Sequence, residues 1–242
     1  MLKGAAVTLQ IAFVGTAVGC IIGLLIGIIN TIPIEQNTHA FKKIILLIVR
    51  TVLHVYIEVF RGTPMMVQAV FIYYGAIIAG FNITPMFAGY LVVSINTGAY
   101  MAETVRGGII SIDSGQTEGA KAIGMTHYQT MTGIILPQAL RNIMPQIGNN
   151  LIINIKDTCV LAMIGVVELM YQSRSVSGAY YRYFETYTIT MVMYLCMTLF
   201  FSRVLRHIEK KMDGSKVYDL ATTDSLAHTS GMIRFRNGSG KR

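Results

Sequence analysis

The residues in this sequence best placed for a specific task lie in one polar stretch between apolar runs: Glu118-Gly119-Ala120, then Gly124, then Ile134-Ile135-Leu136-Pro137. The chemistry they suit is docking. Asp113 or Ser114 can cap a short helix that runs to Ile123, and Gly124 can take the left-handed conformation that ends it. Thr126 with Gln129 three residues later fits a capping box for a second helix, and Pro137 marks where that helix breaks or a new one begins. Gly119, Ala120 and Ala122 are small enough for a partner's cleft to close on the helix backbone, and Glu118 adds one fixed charge. The same residues also fit a helical hairpin lying on a bilayer surface.

Other chemistries fail on spacing. Cys20, Cys159 and Cys196 each fall in or near an apolar run, isolated from one another, and make neither a metal site nor a disulfide framework. They read as packing residues. The five histidines, at 39, 54, 127, 207 and 228, are too scattered to form a ligand set. Gly238-Ser239-Gly240-Lys241 resembles the close of a phosphate loop, but the position that needs the earlier glycine holds Phe235 and no helix can follow. No catalytic group, metal or cofactor is expected on this chain.

The elements that must position the polar stretch are membrane spans. Of 242 residues, 53% are hydrophobic and 13% charged, about half the roughly 25% charge of a soluble domain. Ala5 to Ile29 is uncharged and as a helix would measure about 37 Å, enough for a hydrocarbon core of about 30 Å. It is too long for a signal peptide and no small-residue cleavage site follows it. Further spans are expected at Pro64 to Ala79, Ile83 to Ala102, Leu151 to Tyr171 and Thr186 to Ser202, five in all, although Lys156 and Asp157 interrupt the fourth. Arg50, His54, Glu58 and Arg61 argue that Ile44 to Phe60 lies along the inner interface instead of crossing. Thr63-Pro64 reads as an N-cap and first helical residue that open the second span.

Charge sets the orientation. With the N-terminus outside, seventeen of the twenty Lys and Arg residues fall on the inner side and only Lys3, Arg174 and Arg182 fall outside. The hairpin, about residues 113–142, is then cytoplasmic together with the C-terminus. Contact with anionic lipid accounts for the net charge of +8, and nucleic acid is not required. Gly15, Gly19, Gly23 and Gly27 recur every four residues and leave a groove for close helix approach, either within the chain or to a second subunit. Glu103 and Arg106 are spaced for a local ion pair. Residues 1–211 read as one membrane domain, and the tail from 212 to 242, poor in large apolar residues, reads as disordered.

With these blocks assembled, the sequence resembles the membrane permease subunits of binding-protein-dependent ATP-binding cassette importers, in the polar amino acid branch. The hairpin resembles that family's Glu-Ala-Ala loop, a triplet followed by a glycine and an Ile-x-Leu-Pro end, here Glu118, Gly119, Ala120, Gly124, Ile134, Leu136 and Pro137. Gly119 replaces the first alanine. A second block is Glu58-Val59-Phe60-Arg61-Gly62-Thr63-Pro64 leading to Val67-Gln68 and Tyr73-Tyr74-Gly75, and a third runs from Gly98 to Gly107 and on through Gly115-Gln116. The match extends from about Glu58 to Leu169.

The resemblance implies an all-α integral membrane protein of the type I importer fold in a bacterial plasma membrane. It implies cytoplasmic ATPase subunits that grip the hairpin and carry ATP and Mg, a second permease subunit, identical or related, and an extracytoplasmic solute-binding protein. For an amino acid zwitterion, the path residues it suggests are Asn96, Thr97, Asn150, Asn154, Lys156 and Asp157; the alternative is that these groups satisfy one another inside the bundle. Two other classes compete. A secondary transporter or channel would place ionisable groups at the midplane and show two related halves, and neither feature is present. A membrane partner of an ATPase that moves no cargo would keep the hairpin without needing a path.

Overall fold

The computed structural model describes residues 1–32 and 40–212, and every regular element among them is helical. The order is α1 (Leu2–Thr31), α2 (Ala40–Gly62), α3 (Met65–Ile78), α4 (Pro85–Ile110), α5 (Ser114–Ala122), α6 (His127–Thr130), α7 (Leu136–Asp157), α8 (Leu169–Tyr180) and α9 (Tyr183–Met212). A wide π turn, Met131–Ile135, joins α6 to α7, and a 3-10 segment, Thr158–Ile164, follows α7. The tail expected to be disordered lies outside the described residues.

The glycine stripe organises the bundle. A side chain added at Gly15, Gly19, Gly23 or Gly27 would run into Val93, Thr97, Met101 or Val105 of α4, respectively. Because both series rise by four, α1 and α4 run parallel, one laid in the groove of the other. The stripe is therefore filled from within the chain, and that face is not open to a second subunit.

Two clusters lie at opposite ends of this pair. Ile11, Ala88, Val92 and Val93 gather Ala69 of α3 and Leu161 of the 3-10 segment. Met101, Val105 and Ile109 gather Ile135, Ala139 and Ile143 at the other end. The helix α7 therefore runs antiparallel to α4, and Leu205 of α9 meets Gly148 while Tyr194 reaches Glu168, so α9 descends beside α7.

The region from Ile44 to Phe60 departs from the expectation of an interfacial segment. It belongs to α2, which packs along α4: Ile57 joins Ile26 and Ala102, and the Tyr56 hydroxyl donates to the Ile95 carbonyl at 2.6 Å. Arg50, His54, Glu58 and Arg61 gather on one face, so the opposite face, with Ile45, Ile48, Val52 and Val55, stays apolar and exposed. The next helix, α3, has only 14 residues, about 21 Å, too short to cross alone. Together α2 and α3 run back along α4, antiparallel to it.

The cap expected at Thr63-Pro64 also differs. Thr63 Oγ1 donates back to Val59 O at 2.8 Å and so closes α2, while Pro64 is itself the N-cap of α3 and no side chain caps that helix. A Thr-Pro start does occur at α4, where Thr84 accepts from Phe87 N and Pro85 is the first helical residue.

The fourth expected span, Leu151 to Tyr171, is not one helix. α7 ends at Asp157, the 3-10 segment tightens the chain, Gly165 takes φ of +85°, and α8 leaves at 56° to the helical run before it. Among the described residues, only α1 and Tyr183–Lys211 are individually long and apolar enough to cross a membrane, and the bent unit containing α7 and α8 is a third by length and composition. Cys196 faces outward and is not a packing residue, whereas Cys20 and Cys159 are half-buried.

Candidate functional site

The hairpin is built as its local sequence dictates. The Asp113 carboxylate accepts from Gly115 N at 2.7 Å and opens α5; Gly124, at φ +81°, turns the chain out of it. Thr126 and Gln129 form the reciprocal capping box, with Gln129 N donating to Thr126 Oγ1 and Thr126 N to Gln129 Oε1. The second arm does not stop at Pro137. Proline has no N–H for the Gly133 carbonyl and its ring would press on that oxygen, and the wide turn over Met131–Ile135 loosens the ladder there, so the helix continues into α7.

The hairpin residues divide between two jobs. Glu118, Gly119, Gly124 and Pro137 are exposed, whereas Ala120 is buried at the contact of α5 with the second arm. Ala120 is thus a hinge-packing residue and not part of a surface that a partner could touch. Ile134 packs with Ile135 on the lower cluster and Leu136 is half-buried, so the second arm is rooted in the bundle. Two residues that sequence reasoning passed over, Ile123 and Tyr128, stand 78% and 75% exposed beside Gly124. Large apolar side chains at a hairpin tip were the signal.

A side chain at Gly119 would meet nothing within 4 Å. Gly119→Ala is therefore expected to stabilise α5 by about 1 kcal/mol, read as slower amide exchange across Glu118 to Ala122; faster exchange would show that the glycine is needed for the helix geometry.

The second candidate site is a cleft of about 270 Å³ between the junction at Thr63-Pro64, the start of α3, α4 and α7. Five of the six residues expected along a path, Asn96, Thr97, Asn150, Asn154 and Asp157, line it. Lys156 does not: one helical step from Asp157, it turns to the outside and is exposed. Asn154 Nδ2 donates to Thr16 Oγ1 at 2.8 Å and Thr97 Oγ1 at 2.9 Å, and Asn96 Nδ2 donates to Phe60 O and to Gln68 Oε1. Gln68 Nε2 in turn holds Phe60 O, Thr63 O and Thr63 Oγ1, all at 2.9 Å. These amides spend their donors on the bundle, and among the described residues none is given to the Oδ1 atoms of Asn96, Asn150 and Asn154. The cleft thus offers carbonyl oxygens and one carboxylate to a hydrogen-bond donor. Thr16 escaped sequence reasoning because it lies inside a long apolar run, and Gln68 appeared there only as part of a motif block with no role of its own.

Beside the cleft a second opening carries charge. The Arg61 guanidinium lies 5.7 Å from the centre of the Tyr100 ring. Arg106 and Glu103 form the expected local pair, with Nε donating to both carboxylate oxygens. Glu168, also unremarked in the sequence, is wholly buried and caps α8, a carboxylate inside an expected span that should have signalled a partnered site.

Residues 45–214 match the family described as binding-protein-dependent transport system inner membrane component. The glutamine transport system permease protein GlnP of Escherichia coli K12 is 39% identical over 215 residues, spanning 88% of this chain and 92% of the relative. A putative glutamine transport system permease protein of Rickettsia typhi is 34% identical over 213 residues, with the same coverage. Among solved structures, an amino acid ABC transporter crystallised with histidines superposes with a TM-score of 0.76 at 37% identity, covering 87% of this chain and 92% of that one. The inward-facing MetNI methionine transporter, at 20% identity and a TM-score of 0.70 over 87% of this chain and 95% of that one, shares the fold. With a helical bundle, a capped hairpin and matches over most of its length, the chain belongs to the binding-protein-dependent inner membrane components, the permease subunits of ATP-binding cassette importers.

Proposed function

We propose that this permease carries a polar amino acid, with glutamine the first cargo to test, through the amide-lined cleft between the start of α3, α4 and α7. The observation that carries the reading is the convergence of Asn96, Thr97, Asn150, Asn154 and Asp157 on one cleft. Asp157 is suited to an α-ammonium group, and the uncommitted amide oxygens to further N–H donors such as a carboxamide. The names of the relatives support the same cargo class.

Five membrane crossings fit the alternation of passes: α1, α4 and α9 in one direction, α2 with α3 and then α6 with α7 in the other. The excess of Lys and Arg on one side supports an outer N-terminus, an inner C-terminus and a cytoplasmic hairpin. On this reading an ATPase, which holds ATP and Mg, docks on Glu118, Gly119 and the Gly124 turn, with Ile123 and Tyr128 as apolar anchors, while Ile134, Leu136 and Pro137 pass the motion into α7. A second permease subunit and an extracytoplasmic binding protein complete the importer. The lever must be stiff, because nucleotide moves the path only through contacts that differ between its states.

The test is uptake into vesicles holding the permease, its ATPase and its binding protein, across a panel of amino acids. Amide amino acids are expected to compete best. Glu118→Ala and Gly124→Val, the latter forcing a side chain into the left-handed region at a cost of roughly 1–2 kcal/mol, are expected to leave membrane insertion intact and uncouple ATP hydrolysis from uptake. Uptake by both variants at the wild-type rate would end the docking assignment.

A further inference from the structure

A cleft of about 410 Å³ lies at the neck of the hairpin, between the C-terminal ends of α1 and α4 and the two hairpin arms. This is within the roughly 300–1,000 Å³ typical of small-molecule sites, and it is separate from the amide-lined cleft. Its wall is apolar, built from Ile109, Ile112, Met131 and Ile135. Its rim carries Arg106, Lys121 and His127, and none of its lining residues is acidic.

Asp113 and Glu118 lie within a few residues of the rim in sequence but take part in no ion pair among the described residues, and Glu103 is committed to Arg106. That pairing leaves Lys121, which takes part in no ion pair among the described residues, as the unneutralised cation of the rim. The C-terminal carbonyls of α1 would otherwise repel an anion there, but the Arg50 guanidinium already covers Ile29 O and Ile32 O. The Thr117 hydroxyl supplies a donor at the opening, while those of Thr31 and Thr130 are given to the carbonyls of Ile28 and Thr126.

An apolar wall with a cationic, hydroxyl-bearing rim matches a molecule with an anionic head and a hydrocarbon body. We propose that the cleft at the hairpin neck binds an anionic phospholipid, with the phosphate at Lys121 and His127 and an acyl chain against Ile109, Ile112 and Met131. Basic recesses between helices at the inner membrane face bind such headgroups by this physics. The proposal rests on the hairpin lying at the inner face. Because the lipid would touch both arms and the ends of α1 and α4, its occupancy stiffens the neck through which the hairpin moves the bundle.

The experiment uses the full chain assembled with its ATPase in nanodiscs of phosphatidylcholine with or without phosphatidylglycerol, and reads the retained lipid by native mass spectrometry. Wild type is expected to retain phosphatidylglycerol in preference to phosphatidylcholine. Lys121→Gln is expected to lower that retention about five-fold, the usual worth of one cation at an anionic surface. Ile112→Trp, which fills the cleft and leaves every charge in place, is expected to lower it as well. Equal retention of the two lipids by wild type, or unchanged retention in either variant, would overturn the site. The readout needs no transport, so its failure is distinguishable from a failure of the uptake experiment.

Discussion

Gly23→Ala is expected to separate α1 from α4 and to lower the stability of the bundle by about 3 kcal/mol, the upper end of what overpacking costs. The added methyl would lie 2.8 Å from both the Ala102 nitrogen and the Met101 carbonyl carbon. These are backbone atoms of a neighbouring helix and cannot rotate away. Within a bilayer the loss is felt fully, because close packing and not exclusion from water holds helices together there. The comparison variant is Gly107→Ala on α4, where an added side chain meets nothing within 4 Å; it should be neutral or slightly stabilising. Thermal unfolding of the two variants in detergent, followed by size exclusion, reads the difference. Equal midpoints would mean that the α1–α4 contact is looser than the structure shows.

Glu168→Ala is expected to cost at least about 3 kcal/mol. The carboxylate is 0% exposed and accepts from Met170 N at 2.8 Å, Tyr171 N at 2.7 Å, the Tyr194 hydroxyl at 3.0 Å and the Thr8 hydroxyl at 3.3 Å. Each buried donor left without a partner costs roughly 1–3 kcal/mol. The hydroxyls can turn to other acceptors, but the two backbone N–H groups at the start of α8 cannot. The Thr8 oxygen also accepts from Leu169 N at 3.2 Å, so one buried knot ties α1, α8 and α9 together at the end of the bundle opposite the hairpin. Glu168→Gln keeps one acceptor oxygen and turns an amide NH₂ toward donors, so roughly half of the loss is expected. Amide exchange at Met170 and Tyr171 separates this cause from general unfolding: those two positions should open before the rest of α8. A variant as stable as wild type, with unchanged exchange at both, would remove Glu168 from this role.

Local chemistry was legible wherever it is self-contained. The caps at Asp113, Gly124 and Thr126 involve residues within three or four positions of one another, so their geometry follows from local backbone preferences alone. The Glu103–Arg106 pair is readable for the same reason. The cap at Thr63-Pro64 was misread because its outcome depends on Gln68, whose amide is positioned by Asn96 of another helix. α2 was misread because its charges were counted without their faces: Arg50, His54, Glu58 and Arg61 recur about a turn apart and line one opening, leaving the other side apolar.

By itself the sequence determined the apolar character of the passes, the small-residue stripe on α1, the capped hairpin and the family of the chain, because composition, helical period and short motifs are properties of neighbouring residues. Tertiary structure alone decided what meets the stripe, how α2 and α3 follow one another along α4, and where the helical run from α7 to α8 bends. It also decided that Ala120 turns inward, that Lys156 turns away while Asp157 turns in, and that Thr16, Gln68 and Glu168 find partners. Those outcomes depend on which helix faces come together. A rotation of one residue, about 100° around a helix, is enough to move a side chain from a cleft to the surface.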